Sequence, residues 1–170
     1  MNKARLFLAV AAMIGLGAVL AAENVPNRLA TAKVGEWASY RLPSGYTQKQ
    51  TVIARTGEGP EAEVTVRIED IYENEVVKTR EVTQPAGEPM TQPQIPDNLD
   101  FTITIEIEKR NATVKGKTLL ATVIEVEKDY DDDDDDEESE WWVSAEIPVF
   151  GLIKKVTDDE IVFEIVDYGE

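Results

Sequence analysis

"FTITIEIE", residues 101–108, decides the fold class. Phe101, Ile103, Ile105 and Ile107 fall on one side of an extended chain, and Thr102, Thr104, Glu106 and Glu108 on the other. Strict period-two alternation, rich in β-branched residues, predicts a strand with one buried and one wetted face. Val64, Val66 and Ile68 repeat the pattern against Glu63, Thr65, Arg67 and Glu69. Two other segments are apolar on both sides. Leu120, Ile124 and Val126 oppose Leu119, Ala121 and Val123, while Ile161, Phe163 and Ile165 oppose Val162 and Val166. Such strands are expected in the middle of a sheet or beneath a covering element.

Shorter strand candidates are 37–42, 48–54, 76–82, 141–147 and 152–156, which brings the expected total to about nine. The joints carry turn residues: Pro43-Ser44-Gly45, the Gly-rich stretch 56–60, Glu73-Asn74-Glu75 and Lys115-Gly116-Lys117. Helical periodicity is nearly missing, the one short candidate being 26–33. The expected architecture is all-β: a single twisted, curved antiparallel sheet or half-open barrel with little helix. The interval 83–100 holds four of the eight prolines and reads as a long loop.

The chain opens with Lys3 and Arg5, continues apolar from Leu6 to Ala22, and leaves that stretch through small residues. A charged start, an apolar middle and a small-residue exit predict a secretory leader over residues 1–22, cut after Ala21 or Ala22. The competing reading is a retained anchor, which the Gly and Ala content and the small-residue exit disfavour. With no cysteine at the exit, attachment of a lipid in the manner of bacterial lipoproteins is excluded. Residues 23–170 then form one β domain, secreted or periplasmic, with no membrane span after cleavage. Lys3 and Arg5 leave with the leader, so 15 basic residues face 34 acidic ones, a net charge near −19. Such a surface repels nucleic acid and anionic membranes.

The chain has no cysteine and no histidine. Disulfides, thiol catalysis, Ser-His-Asp catalysis and imidazole- or thiolate-bound zinc are therefore excluded. Carboxylate, Lys or Tyr chemistry remains, and for metals only oxygen ligands, which suit calcium or magnesium. No cofactor is expected.

From Asp129 to Glu140, ten of twelve residues are acidic. Asp131, Asp132, Asp133, Asp134, Asp135 and Asp136 are the candidate metal ligands, expected to gather calcium loosely through charge. The run has no glycine, so it lacks the sharp turn of an EF-hand loop. Lying between two strand candidates, it reads as an acidic hairpin loop over 129–140. In the adjacent Trp141-Trp142 pair the side chains point to opposite faces, one expected in the core and the other partly covered. Glu106 and Glu108 share a strand face and are candidates for acid–base work, although any acidic wet face produces such pairs.

Three segments carry a resemblance: Val34-Gly35-Glu36-Trp37 with residues 48–52, residues 114–119, and residues 142–154 with the closing Asp167-Tyr168-Gly169. In this order they resemble uncharacterised secreted β-rich bacterial proteins, planctomycete-like ones in particular. A more distant similarity is to the half-open barrels of periplasmic lipoprotein carriers. That likeness implies a concave face holding acyl chains beneath helices and a lid, although this chain lacks clear covering helices. The function expected first is a non-enzymatic binding or interaction protein that holds an apolar ligand, or a segment of an envelope protein, on that face. An acidic structural protein with weak calcium binding is the alternative, and a carboxylate-dependent hydrolase the third reading.

Overall fold

The computed structural model describes residues 28–87, 101–130 and 137–170. Nine strands form one antiparallel sheet: β1 (Trp37–Arg41), β2 (Thr47–Thr56), β3 (Glu63–Tyr72), β4 (Glu75–Pro85), β5 (Phe101–Val114), β6 (Lys117–Tyr130), β7 (Glu137–Val143), β8 (Leu152–Thr157) and β9 (Glu160–Gly169). Their order is β4-β3-β2-β1-β9-β8-β7-β6-β5, and the sheet does not close. Helical structure among the described residues is limited to two 3-10 turns, Arg28–Thr31 and Gly59–Glu61.

Most neighbours in the sheet are consecutive in sequence and joined by tight connections. Glu73-Asn74, Lys115-Gly116 and Asp158-Asp159 each place two successive residues at positive φ, the hairpin geometry that matches strand twist. Among the described residues, the one non-local pairing joins the first strand to the last. Tyr40 lies opposite Ile165 and Ser39 opposite Asp167, so Val166 makes a bulge in β9.

Cross-sheet contacts give the curvature. In a flat sheet β2 and β8 would lie about 14 Å apart, three inter-strand spacings. Residues of both strands nevertheless line one cleft. The sheet is therefore concave on the face that carries Tyr40, Gln50, Val52, Val66, Ile68, Trp141 and Phe163, all buried. The Arg28–Thr31 turn closes one end of this concavity. Arg55 of β2 donates to the carbonyls of Leu29, Ala30 and Ala32 at 3.0, 3.0 and 3.3 Å, and to that of Gly59 at 3.3 Å. Arg28 sits against the β7–β8 connection, where a Cβ on Gly151 would lie 3.4 Å from its own Cβ. Within that connection Val149 is buried with φ 65, a conformation that costs a β-branched residue strain.

Two expected loops are narrower than their composition implies. Thr83–Pro85 belong to β4, an edge strand, where a proline without an N–H costs no ladder hydrogen bond. Within the acidic stretch 129–140, β6 continues through Tyr130 and β7 starts at Glu137, with Lys128 opposite Glu137. Residues 1–22, 88–100 and 131–136, and with them the leader, most of the Pro-rich interval and the six aspartates, lie outside the described residues.

β9 is central in the sheet, as its two apolar faces predict. β6 is not; it lies beside the edge strand β5. Leu119, Ala121, Val123 and Ile124 are buried all the same, while Leu120 is 60% exposed. Folding over of the β5–β6 hairpin accounts for the cover. Lys115 at its tip reaches Asp167 of β9, three strands away, and Lys117 pairs with Glu146.

Candidate functional site

Period-two alternation in β2 sets Gln48, Gln50 and Val52 on the concave face. Gln48 lies opposite Tyr40 and Asp70, and Gln50 opposite Ala38 and Ile68. Two amides have thus been inserted into a row that is otherwise aromatic and aliphatic. Their hydrogen bonds run in one direction. Gln48 Nε2 donates to Asp70 Oδ1 at 3.0 Å, and Gln50 Nε2 donates to Gln48 Oε1 at 3.1 Å. Asp70, whose carboxylate also lies 3.6 Å from Arg80, can only accept, and this fixes both amide orientations. Gln50 Oε1 is therefore turned away from Gln48, an acceptor with no partner among the described residues.

Tyr40 lies on the neighbouring strand, opposite Gln48. Its Oη also has no hydrogen-bond partner among the described residues, and Tyr40 and Gln50 are each 1% exposed. Burial pushes the Tyr40 hydroxyl far above its ordinary pKa, so it remains a neutral donor. The bulge at Val166 lies directly across from Tyr40 and re-aims the chain there. Leaving a buried donor and a buried acceptor both unpaired costs about 1–3 kcal/mol each. A cleft of about 20 Å³ on this face is walled by Tyr40, Leu42, Gln48, Gln50, Leu152 and Phe163. That is room for one hydroxyl-sized group.

Around the cleft the face is filled by its own rings. Phe163 makes edge contacts with Tyr40 at 5.8 Å and with Trp141 at 6.1 Å, centroid to centroid. Lys155 Nζ lies 4.6 Å from the centre of the Trp141 ring. An acyl chain of the length that lipoprotein carriers enclose does not fit in 20 Å³. The site is a small polar notch in an apolar floor.

The opposite face carries a charge cluster. Arg110 of β5 pairs with Glu108, with Glu125 of β6 at 2.7 Å and with Glu140 of β7 at 3.0 Å. Trp142 lies between Arg110 and Lys154 and donates to Glu140 at 3.0 Å. Burial raises the Glu125 pKa against the pull of Arg110. At Glu140 burial also pushes upward, but hydrogen bonds from Trp142 and Arg110 outweigh it and the pKa falls. The tryptophan pair is split as expected, with Trp141 in the core and Trp142 half-buried.

Glu106 and Glu108 are both exposed on β5, and Glu108 is bound to Arg110. Asp131 to Asp136 lie outside the described residues. Among the described residues no group of three or more carboxylates is arranged to hold a metal ion, and no helix is long and apolar enough to cross a membrane. The notch was not foreseen from composition. Its one signal is the parity of Gln48 and Gln50 with Val52, amides in strand positions that face the core.

No protein-family model and no curated protein matches the chain. Solved structures do. One, from Bacteroides fragilis and described as an exported protein with a YmcC-like fold, is 8% identical with a TM-score of 0.53, covering 82% of this chain and 97% of its own. Another, from Parabacteroides distasonis and described as a lipoprotein, is 10% identical with a TM-score of 0.49, covering 81% of this chain and 96% of its own. The first likeness carries the fold: this chain is built like the β-rich protein of YmcC-like fold. Neither is a planctomycete protein, the group to which the sequence resemblance pointed.

Proposed function

We propose that this is an exported protein of the bacterial envelope that binds a ligand or a partner segment on the concave face of its sheet and does not catalyse a reaction. The observation that carries the reading is the notch: a small, mostly apolar cleft at the floor of the concave face, walled by Tyr40, Leu42, Gln48, Gln50, Leu152 and Phe163.

Export is supported by the leader pattern of residues 1–22 and accords with the description of the Bacteroides fragilis protein as exported. The non-enzymatic reading is supported by a composition without Cys or His, and by three glutamates committed to the single cation Arg110. The small notch favours the end of a ligand, or a single side chain of a partner, over an engulfed lipid. Native mass spectrometry of the protein purified from its own envelope tests the reading. A stoichiometric adduct that is lost on unfolding is expected; a bare polypeptide mass in every preparation would overturn it.

A further inference from the structure

We propose that the outer edge of β5 is a self-pairing surface, joining two copies of this chain through an antiparallel β5–β5 ladder whose two-fold axis passes at Ile105. Pairing of this kind needs no guest in the notch.

β4 and β5 are the two edges of the open sheet, and they are defended unequally. The N–H of Ala86, just beyond β4, donates to the Ala62 carbonyl, so alternation turns the backbone groups of Thr79, Glu81, Thr83 and Pro85 outward. Pro85 has no N–H to offer there, and the register shift near the other end leaves Val77 as a bulge. Both devices hinder the addition of a strand. β5 has neither. It pairs with β6 from Phe101 to Val114 without a register shift, and it contains no proline. The two-residue turn at Lys115-Gly116 makes Val114 and Lys117 a hydrogen-bonded pair. Even-numbered residues of β5 therefore bond to β6, and the N–H and C=O groups of the odd-numbered ones, from Phe101 to Thr113, point away. Among the described residues no strand takes them up.

Charge selects the occupant and its register. The charged residues of β5 are Glu106, Glu108, Lys109 and Arg110. A two-fold axis at any position from 106 to 110 sets like charges opposite: at Ile107, for example, Glu106 lies against Glu108, and at Lys109 the lysine lies against itself. An axis at Ile105 sets none. Ile105 then lies opposite its own copy, Ile103 opposite Ile107, Thr104 opposite Glu106, Thr102 opposite Glu108 and Phe101 opposite Lys109. The overlap 101–109 makes five hydrogen-bonded pairs of two bonds each. It uses the half of β5 remote from the hairpin tip, where Lys115 reaches over to Asp167. A two-fold axis perpendicular to the sheet keeps each face on its own side, so the concave faces of both copies open in the same direction.

Sedimentation equilibrium of the full mature chain is expected to give a reversible dimer. Hydrogen exchange at the amides of Ile103, Ile105 and Ile107 should slow by about tenfold between mostly monomeric and mostly dimeric samples. Thr113, whose N–H also points outward but lies beyond the ladder, should not change. Ile105→Pro should weaken the dimer by about tenfold or more, because both bonds at the axis are lost while the β6 ladder loses none. Thr113→Pro is the matched control, an edge proline outside the ladder that leaves the dimer intact. The exchange pattern of the unaltered protein decides the matter even where a proline variant fails to fold. A monomer at every attainable concentration overturns the proposal, and so does a dimer in which Ile105 exchanges as fast as in the monomer. Open-ended growth in place of a closed dimer overturns it as well.

Discussion

Replacing Arg55 by Met tests what keeps the concave face closed at one end. The guanidinium spans from β2 to the Arg28–Thr31 turn and supplies four hydrogen bonds to backbone carbonyls, two at 3.0 Å and two at 3.3 Å. A hydrogen bond to a charged donor contributes about 1.5–3 kcal/mol where it is shielded from water. The two shorter bonds at the low end of that range give about 3 kcal/mol. Rehydration of the freed carbonyls returns part of it, while Met keeps the packing of the side-chain stem. A net loss of about 2–3 kcal/mol follows, equivalent to roughly 4–12 °C in melting temperature for a domain of this size. The loss cannot greatly exceed the cost of undocking the turn, chiefly the burial of Leu29, about 2–3 kcal/mol. Hydrogen exchange locates the effect. The amides of Ala32 and Glu36, which donate to the carbonyls of Leu29 and Lys33, should exchange about 30-fold faster or more, while β6 and β7 stay protected. Arg55→Lys should recover part of the loss, since one ammonium cannot reach all four carbonyls. A Met variant that melts within about 1 °C of the parent, with unchanged exchange at Ala32, would refute the idea that this side chain holds the turn in place.

Gly151→Ala should destabilise by about 2–4 kcal/mol in urea unfolding, because φ is +74 and the new Cβ would lie 2.9 Å from the Ser144 carbonyl oxygen. Arg110→Met should lower the melting temperature more at pH 7 than at pH 4. Without the guanidinium the pKa values of Glu125 and Glu140 rise in the folded state, and a carboxylate with a raised folded pKa loses stability as pH rises through it. A pH series of melts on both proteins checks the sign, and an equal deficit at both pH values would contradict it. Replacing Asp131–Asp136 by a Gly-Ser turn should preserve folding and raise the melting temperature at low salt by relieving like-charge repulsion. Calcium is expected to move the parent's melt no further than matched ionic strength does, which scanning calorimetry with calcium against sodium will read.

Period-two alternation made most of the strands legible, because a half-buried strand writes its faces directly into sequence. Where charge or proline overlies the pattern, the strand is hidden. Glu137-Glu138-Ser139-Glu140 looks like more of the acidic loop, yet Ser139, Trp141 and Val143 form the buried row of β7. Thr83–Pro85 look like loop because proline is barred from sheet interiors, a rule that relaxes on the edge strand β4. β6 shows a different limit. Apolar residues on both faces gave no way to tell a central strand from one within a folded-over hairpin. The notch was least legible of all, since it depends on a misfit among side chains of β1, β2, β8 and β9 that are far apart in sequence. Such a miss exists only in three dimensions.

The strand order explains why the notch sits where it does. β1 to β4 form one meander and β5 to β9 another, and the ladder that joins them is the pairing of β1 with β9. Tyr40, Leu42, Gln48 and Gln50 come from the first meander, and Leu152 and Phe163 from the second. The notch is thus assembled only when the last strand pairs with the first, the most non-local step of the fold. A guest bound there contacts both meanders and stabilises their union by mass action, since the unfolded chain and the separated halves lack the site. Occupancy and the joining of the two meanders are therefore linked equilibria.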